Sequence, residues 1–238
     1  MRVPSRSPVP PLTPGRTRRR LAVGGAVVAA LTLSPAVAST VADETPPPAP
    51  APAPAATKVY RVPSGAMEPT ISVGRNILVS LFPSSESLRP TVGSIVVLHP
   101  PRGADPTRSG ARGHECAAAA NIERGMPCPR SRGGRWADEV YVKRIVAGPG
   151  DSVAIRDGRV IRNGLPVDEP FVKPTCEGTG DVGPCTLPRA IRLPRNRYFL
   201  MGDNRGESND SRFWGPVPRA WMVGEVTQIG VPDPGLFR

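Results

Sequence analysis

Residues 201–218 read MGDNRGESNDSRFWGPVP and place Asp203, Asn204, Arg205, Ser208, Asp210, Ser211 and Arg212 within ten positions, closed by Trp214-Gly215. If this loop is buried, each of these polar groups needs a partner. An Asp–Arg pair can brace such a loop, and a serine hydroxyl can orient a neighbouring amine. The oxygens alone would also suit calcium, but the regular ligand spacing of a calcium loop is missing. An amine is offered by EVYVKRIVAGPGD, Glu139 to Asp151. The alternation of a strand puts Tyr141, Lys143 and Ile145 on one face and Val140, Val142 and Arg144 on the other. If the first face is inward, burial disfavours the ammonium and leaves a neutral amine able to act as a general base. The same segment also fits an edge-strand lysine that reaches solvent. Lysine is scarce here, with Lys58, Lys143 and Lys173 against 28 arginines, so each one is informative.

A third stretch, VPSGAMEPTI (Val62 to Ile71), is a Pro-Ser-Gly turn running into Met-Glu-Pro-Thr with apolar anchors around it. Such a segment could hold a serine at a fixed angle beside a cleft. The residue directly before the methionine, however, is Ala66.

The elements that must position these residues are short strands. The chain has 238 residues, 25 glycines and 32 prolines, and only 5% aromatics, a composition suited to strands and turns rather than to a helical bundle. VYRVPS, NILVSLF, GSIVVLH, EVYVKRIVA, SVAIRDGRVIRNG and RYFLMGD are the strand candidates. Asp157-Gly158 inside RDGRV marks a hairpin. The expected body is mostly β, over residues 58–238, with residues 100–138 as a surface insertion rich in Pro, Arg and Gly.

The net charge of +11 raises nucleic-acid binding, but six of the arginines lie within residues 1–20. The rest of the chain is only about +5, with scattered arginines and few aromatics to stack bases, so no nucleic-acid partner is expected. The basic residues 1–20 precede LAVGGAVVAALTLSPAVASTVA, residues 21–42, an uncharged run close to the ~20 residues that span a bilayer. Positive residues stay cytoplasmic, which puts the remaining chain outside the cytoplasmic membrane. A cleaved signal is the other reading, with Ala36-Val37-Ala38 as its small-x-small cleavage pattern. Residues 43–57, DETPPPAPAPAPAAT, form an extended spacer.

The four cysteines, Cys116, Cys128, Cys176 and Cys185, agree with export to an oxidising compartment. Their spacing suggests Cys116–Cys128 and Cys176–Cys185 among three possible connectivities. His114, Cys116 and Cys128 make only a partial zinc set without a fourth ligand, so no metal is expected.

Taken together, PSGAMEPT, YVKRIVAGPGD and GDNRGESNDSRFWG, in this order behind an apolar N-terminal segment, resemble the type I signal peptidase family of membrane-anchored serine–lysine endopeptidases. The resemblance covers residues 58–231, with insertions. It implies a β-fold with a conserved catalytic core and a second, more variable β-region. It also implies removal of signal peptides from exported preproteins after small-x-small residues, at the outer face of the membrane lipid and without a cofactor. By this resemblance Lys143 matches the general base and Ser208 the serine that orients it. Asp203, Asp210 and Arg212 match the acidic–basic bracing of the site, and Ser64 an oxyanion-hole serine. Met67 and Pro69 match packing residues of the nucleophile's strand. The nucleophile itself falls at Ala66, whose methyl group cannot form an acyl-enzyme. Three accounts of Ala66 stay open: an inactivated peptidase, a pseudo-peptidase that binds without cutting, and shifted chemistry using Ser64 or Lys143. Ser94 also departs from the family, which more often has aspartate there, and is expected to affect strand packing only.

Overall fold

The computed structural model of the protein describes residues 55–83, 89–102, 104, 122–131, 135–173, 176 and 183–233. The N-terminal basic and apolar segments, the greater part of the spacer and Cys116 lie outside the described residues. Among the described residues no helix is long and apolar enough to cross a membrane.

The described chain is mostly β. The strands are β1 (Thr57–Arg61), β2 (Asn76–Leu81), β3 (Ile95–Leu98), β4 (Tyr141–Ala147), β5 (Ser152–Arg156), β6 (Arg159–Arg162), β7 (Leu165–Pro166), β8 (Leu187–Arg192), β9 (Arg197–Met201), β10 (Val217–Pro218) and β11 (Met222–Ile229). One helical turn, α1 (Ser211–Trp214), follows β9. Two sheets result, in the orders β1-β2-β11-β3-β4-β9-β10 and β7-β6-β5-β8. The expected hairpin is β5–β6, and its turn residues Asp157 and Gly158 both take positive φ (50° and 75°), the conformation that Asp-Gly favours in a tight turn.

Strand alternation accounts for the core. Val146 and Ala147 on β4 and Phe199 and Met201 on β9 pack with Val153, Ile155, Val160, Leu187 and Ile191 of the smaller sheet. This cluster joins the two sheets. Tyr141 and Ile145 belong with Val96, Leu98, Leu200 and Trp214 in a second cluster, whereas Val140 and Val142 face Val62, Met67, Ile71 and Ile77 in a third. The alternation expected over residues 140–145 is therefore present. A register shift between Ile145 and Ala147 ends it and turns the last residues of β4 toward the smaller sheet.

The 100–138 segment does more than cover the surface. Gly125 and Cys128 are buried, and the Cys128 amide donates to the Arg212 carbonyl oxygen (3.1 Å). Cys176–Cys185 forms as expected. Cys128 is disulfide-bonded too, and its expected partner Cys116 lies outside the described residues. Ser94 does act in strand packing, donating to Glu225 on β11 (2.6 Å).

Phe199, fully buried in the cluster between the sheets, tests this architecture. Phe199→Ala should destabilise the fold by about 3–5 kcal/mol, read as a lower chemical-denaturation midpoint.

Candidate active site

Lys143 is set by β4, which pairs with β3 through Lys143↔Val96 and is flanked on its other side by β9. An interior strand offers a lysine no sheet edge to leave by, so the edge-strand alternative is overturned. The side chain is 3% exposed. Its Nζ donates to Ser208 Oγ at 3.0 Å and stands 5.5 Å from the centroid of the Tyr141 ring. Burial is the largest influence and lowers its pKa from 10.5 to about 8; Asp210 and Asp203 oppose that effect, and Arg212 adds to it.

The loop after β9 supplies the partners. Ser208 Oγ also accepts from the Gly202 amide (3.2 Å), as does Asp210 Oδ2 (3.2 Å). Asp210 caps α1 by accepting from the Arg212 amide, and its carboxylate takes Arg212 Nε at 2.8 Å and Nη2 at 2.9 Å. Burial raises the Asp210 pKa, but the Arg212 charge and hydrogen bonds, with Lys143 and Ser208, outweigh it and hold the carboxyl below its ordinary range. Arg212 further donates to the carbonyls of Arg205, Ser208 and Pro184.

The expected acidic–basic bracing is thus divided between two ion pairs. Asp210 and Arg212 pair with each other, but Asp203 pairs with Arg144, the neighbour of Lys143 on the opposite strand face (2.7 Å). Thr70 Oγ1 adds a 2.5 Å bond to the same Asp203 carboxylate. Phe171 stacks on the Arg144 guanidinium, 3.8 Å from its ring centroid.

Residues 65–67 form a 3-10 turn, not a strand. Ser64 and Ala66 therefore do not share a strand face, as an extended segment would have required. The turn is clamped to the loop by Asn204, whose amide donates to the Ala66 carbonyl (3.1 Å) and whose Nδ2 donates to the Gly65 carbonyl (3.1 Å). Met67 is buried as expected, whereas Pro69, after a cis Glu68–Pro69 peptide, is exposed and does no core packing. Gly202 is required sterically: a Cβ there would run into the Ala66 carbonyl oxygen and Ser208 Oγ.

A cleft of roughly 520 Å³ opens over these residues. Ser64, Ala66 and Met67 line it on one side, Glu139, Tyr141 and Lys143 on the other, with Glu207 and Asn209 from the loop. Arg144, Thr70 and Gly202 contribute as well, although the sequence analysis assigned them no part in the site. Arg144 had a signal, since a charged residue adjoining a buried lysine on a central strand also needs a partner. Thr70 lies far from Asp203 in sequence and had none.

Lys143, a buried amine of lowered pKa held by Ser208 at the edge of the cleft, has the chemistry that a general base requires. The family described as signal peptidase, peptidase S26, matches residues 53–230. The chain is 30% identical over 165 residues to a probable signal peptidase I-1 of Synechocystis, covering 69% of this chain and 66% of that one. It is also 30% identical over 213 residues to a signal peptidase I of Pseudomonas aeruginosa, covering 74% of this chain and 66% of that one. A solved signal peptidase I from Enterococcus faecalis overlaps 59% of this chain and 98% of its own, at 21% identity and a TM-score of 0.38, too slight a likeness to bear on the fold. The chain thus spans about two thirds of the length of these curated relatives. It belongs to the signal peptidase family, peptidase S26.

The lowered lysine pKa has a consequence for stability. Between pH 8 and 10.5 the unfolded chain holds a proton on Lys143 that the folded chain has released, so stability rises with pH across this window. Below pH 8 the folded chain carries the full cost of a buried ammonium. Lys143→Met should therefore stabilise the fold at pH 7 by about 1–3 kcal/mol, with the gain shrinking toward pH 10.5. Urea unfolding at a series of pH values checks both size and sign.

Proposed function

We propose that this chain carries the binding cleft and base of a signal peptidase that acts on exported preproteins, and that the methyl group at Ala66 withholds the covalent step. The observation that carries this reading is the Lys143 amine, buried at 3.0 Å from Ser208 Oγ in the same cleft that Ala66 lines. With a hydroxyl at position 66, the oxygen would attack the scissile carbonyl carbon while Lys143 takes its proton. The same lysine would then protonate the leaving amine, and water activated by Lys143 would release the acyl group. Ser64, exposed at the cleft, would bond the developing oxyanion.

The relatives' names support the substrate class, and the apolar segment of residues 21–42 supports a membrane-tethered chain with its cleft on the extracytoplasmic side. As written, the chain binds signal-peptide-like segments in extended form. Ser64 favours a second reading, since a serine already lines the cleft and could take over as nucleophile if the 65–67 turn shifts.

Mass spectrometry of an Ala-x-Ala preprotein incubated with the chain, as written and as Ala66→Ser, separates these. Ala66→Ser should raise the cleavage rate by a factor of about a thousand or more, and Lys143→Ala in that background should abolish it. Equal cleavage by both chains would move the nucleophile to Ser64. Cleavage by neither would set aside peptidase chemistry.

A further inference from the structure

Glu169 lies outside every stretch singled out in the sequence and does not line the cleft. It is nonetheless 1% exposed and uses both carboxylate oxygens. Oε1 accepts from Arg205 Nη2 at 2.6 Å, while Oε2 accepts from Arg205 Nη1 at 3.2 Å and from the Val160 amide on β6 at 2.8 Å. Arg205 is equally buried, and its remaining donors go to backbone: Nε to the Gly202 carbonyl (3.0 Å) and Nη1 to the Gly158 carbonyl. Gly202 is the residue whose amide holds Ser208 Oγ and Asp210 Oδ2.

A glycine has little conformational preference of its own, so its orientation must be set from outside. On the N-terminal side β9 does this. On the C-terminal side the Arg205 bond to its carbonyl does. A two-pronged arginine–carboxylate pair is directional enough to fix that guanidinium, and its anchor reaches back to the smaller sheet.

We propose that Glu169 is a positioning residue for the base: its carboxylate fixes Arg205, Arg205 fixes Gly202, and Gly202 fixes the Ser208 hydroxyl against the Lys143 amine. This rests on Lys143 being the base of the proposed function. The charged groups that act on that amine are Asp210 and Arg212 from the loop and Asp203 beside it, Glu139 and Glu207 line the same cleft, and Glu169 acts on it only through the chain of contacts.

Sign distinguishes positioning from a through-space charge effect. Deleting the Glu169 charge by itself would make the surroundings more positive and lower the lysine pKa. Loosening the loop would admit water to the amine and raise it, because burial is what depresses it most. With Lys58, Lys143 and Lys173 as the lysines of the whole chain, a ¹³Cε-lysine NMR titration of the full chain in detergent resolves them individually. Loss of one signal in Lys143→Met assigns it.

Lys143 should titrate near pH 8 in the chain as written. Glu169→Asp keeps the charge but shortens the reach, and should move that midpoint upward by about one unit. Glu169→Gln should move it upward too, with both variants keeping the far-UV circular dichroism of the folded chain. In an Ala66→Ser background, Glu169→Asp should lower kcat about tenfold or more with KM nearly unchanged. An unmoved or lowered Lys143 midpoint in folded Glu169→Asp overturns the proposal. Absence of cleavage by Ala66→Ser would count against the proposed function alone, because the titration needs no substrate.

Discussion

The constraint on which the rest depends is the burial of one amine. Holding Lys143 on an interior strand removes it from water, and a desolvated ammonium is costly unless it gives up its proton or gains partners. The protein does some of each. Ser208 receives the hydrogen bond, and the two carboxylates nearby are already committed to arginines, Asp210 to Arg212 and Asp203 to Arg144. Carboxylates left without such partners would pull the lysine toward the charged form. Arg212 offsets part of that pull, and burial, the larger influence, keeps the amine's pKa lowered to about 8.

That arrangement explains the density of polar residues between Gly202 and Arg212. Buried ion pairs of this sort contribute little net stability, because the cost of taking both charges out of water offsets most of their attraction. Their value here is geometric. Arg212 gathers carbonyls from the loop and from Pro184 next to Cys185, while the Cys128 amide bonds to its backbone. Segments around cysteines far apart in the sequence thereby converge on a single arginine, and the loop is held from several sides. The cleft owes its shape to the same contacts. Asn204 binds the 65–67 turn to the loop, so the position of Ala66 relative to Lys143 is fixed by backbone bonds that do not involve the Ala66 side chain. A methyl and a hydroxymethyl group at that position therefore occupy the same scaffold.

Short-range rules made part of this molecule legible before any coordinates. The Asp157-Gly158 turn, the alternation through Tyr141, Lys143 and Ile145, and the Asp210–Arg212 pair two residues apart all depend on local geometry, and all are present. The order of three motifs, none decisive alone, was enough to indicate the family. The Pro-Ser-Gly turn read in VPSGAMEPTI is local too, and there residues 65–67 tighten into a 3-10 turn that brings the Ala66 carbonyl under the Asn204 amide.

Only the tertiary structure decided who partners whom across distance. Whether Lys143 meets solvent or Ser208 depends on β4 lying between β3 and β9, and strand order leaves no trace in the pattern of a single strand. Asp203 could have paired with any of several arginines nearby in sequence; the register of β4 against β9 put Arg144 beside it. Glu169 and Arg205 meet across 36 residues because the smaller sheet folds back against the loop, and Gly202 has no room for a side chain because Ala66, far away in sequence, closes on it beside Ser208. The sequence carried the chemistry of each group, since that resides in the side chain. Packing chose the partners, because contacts between distant segments are set by the whole fold and not by spacing along the chain.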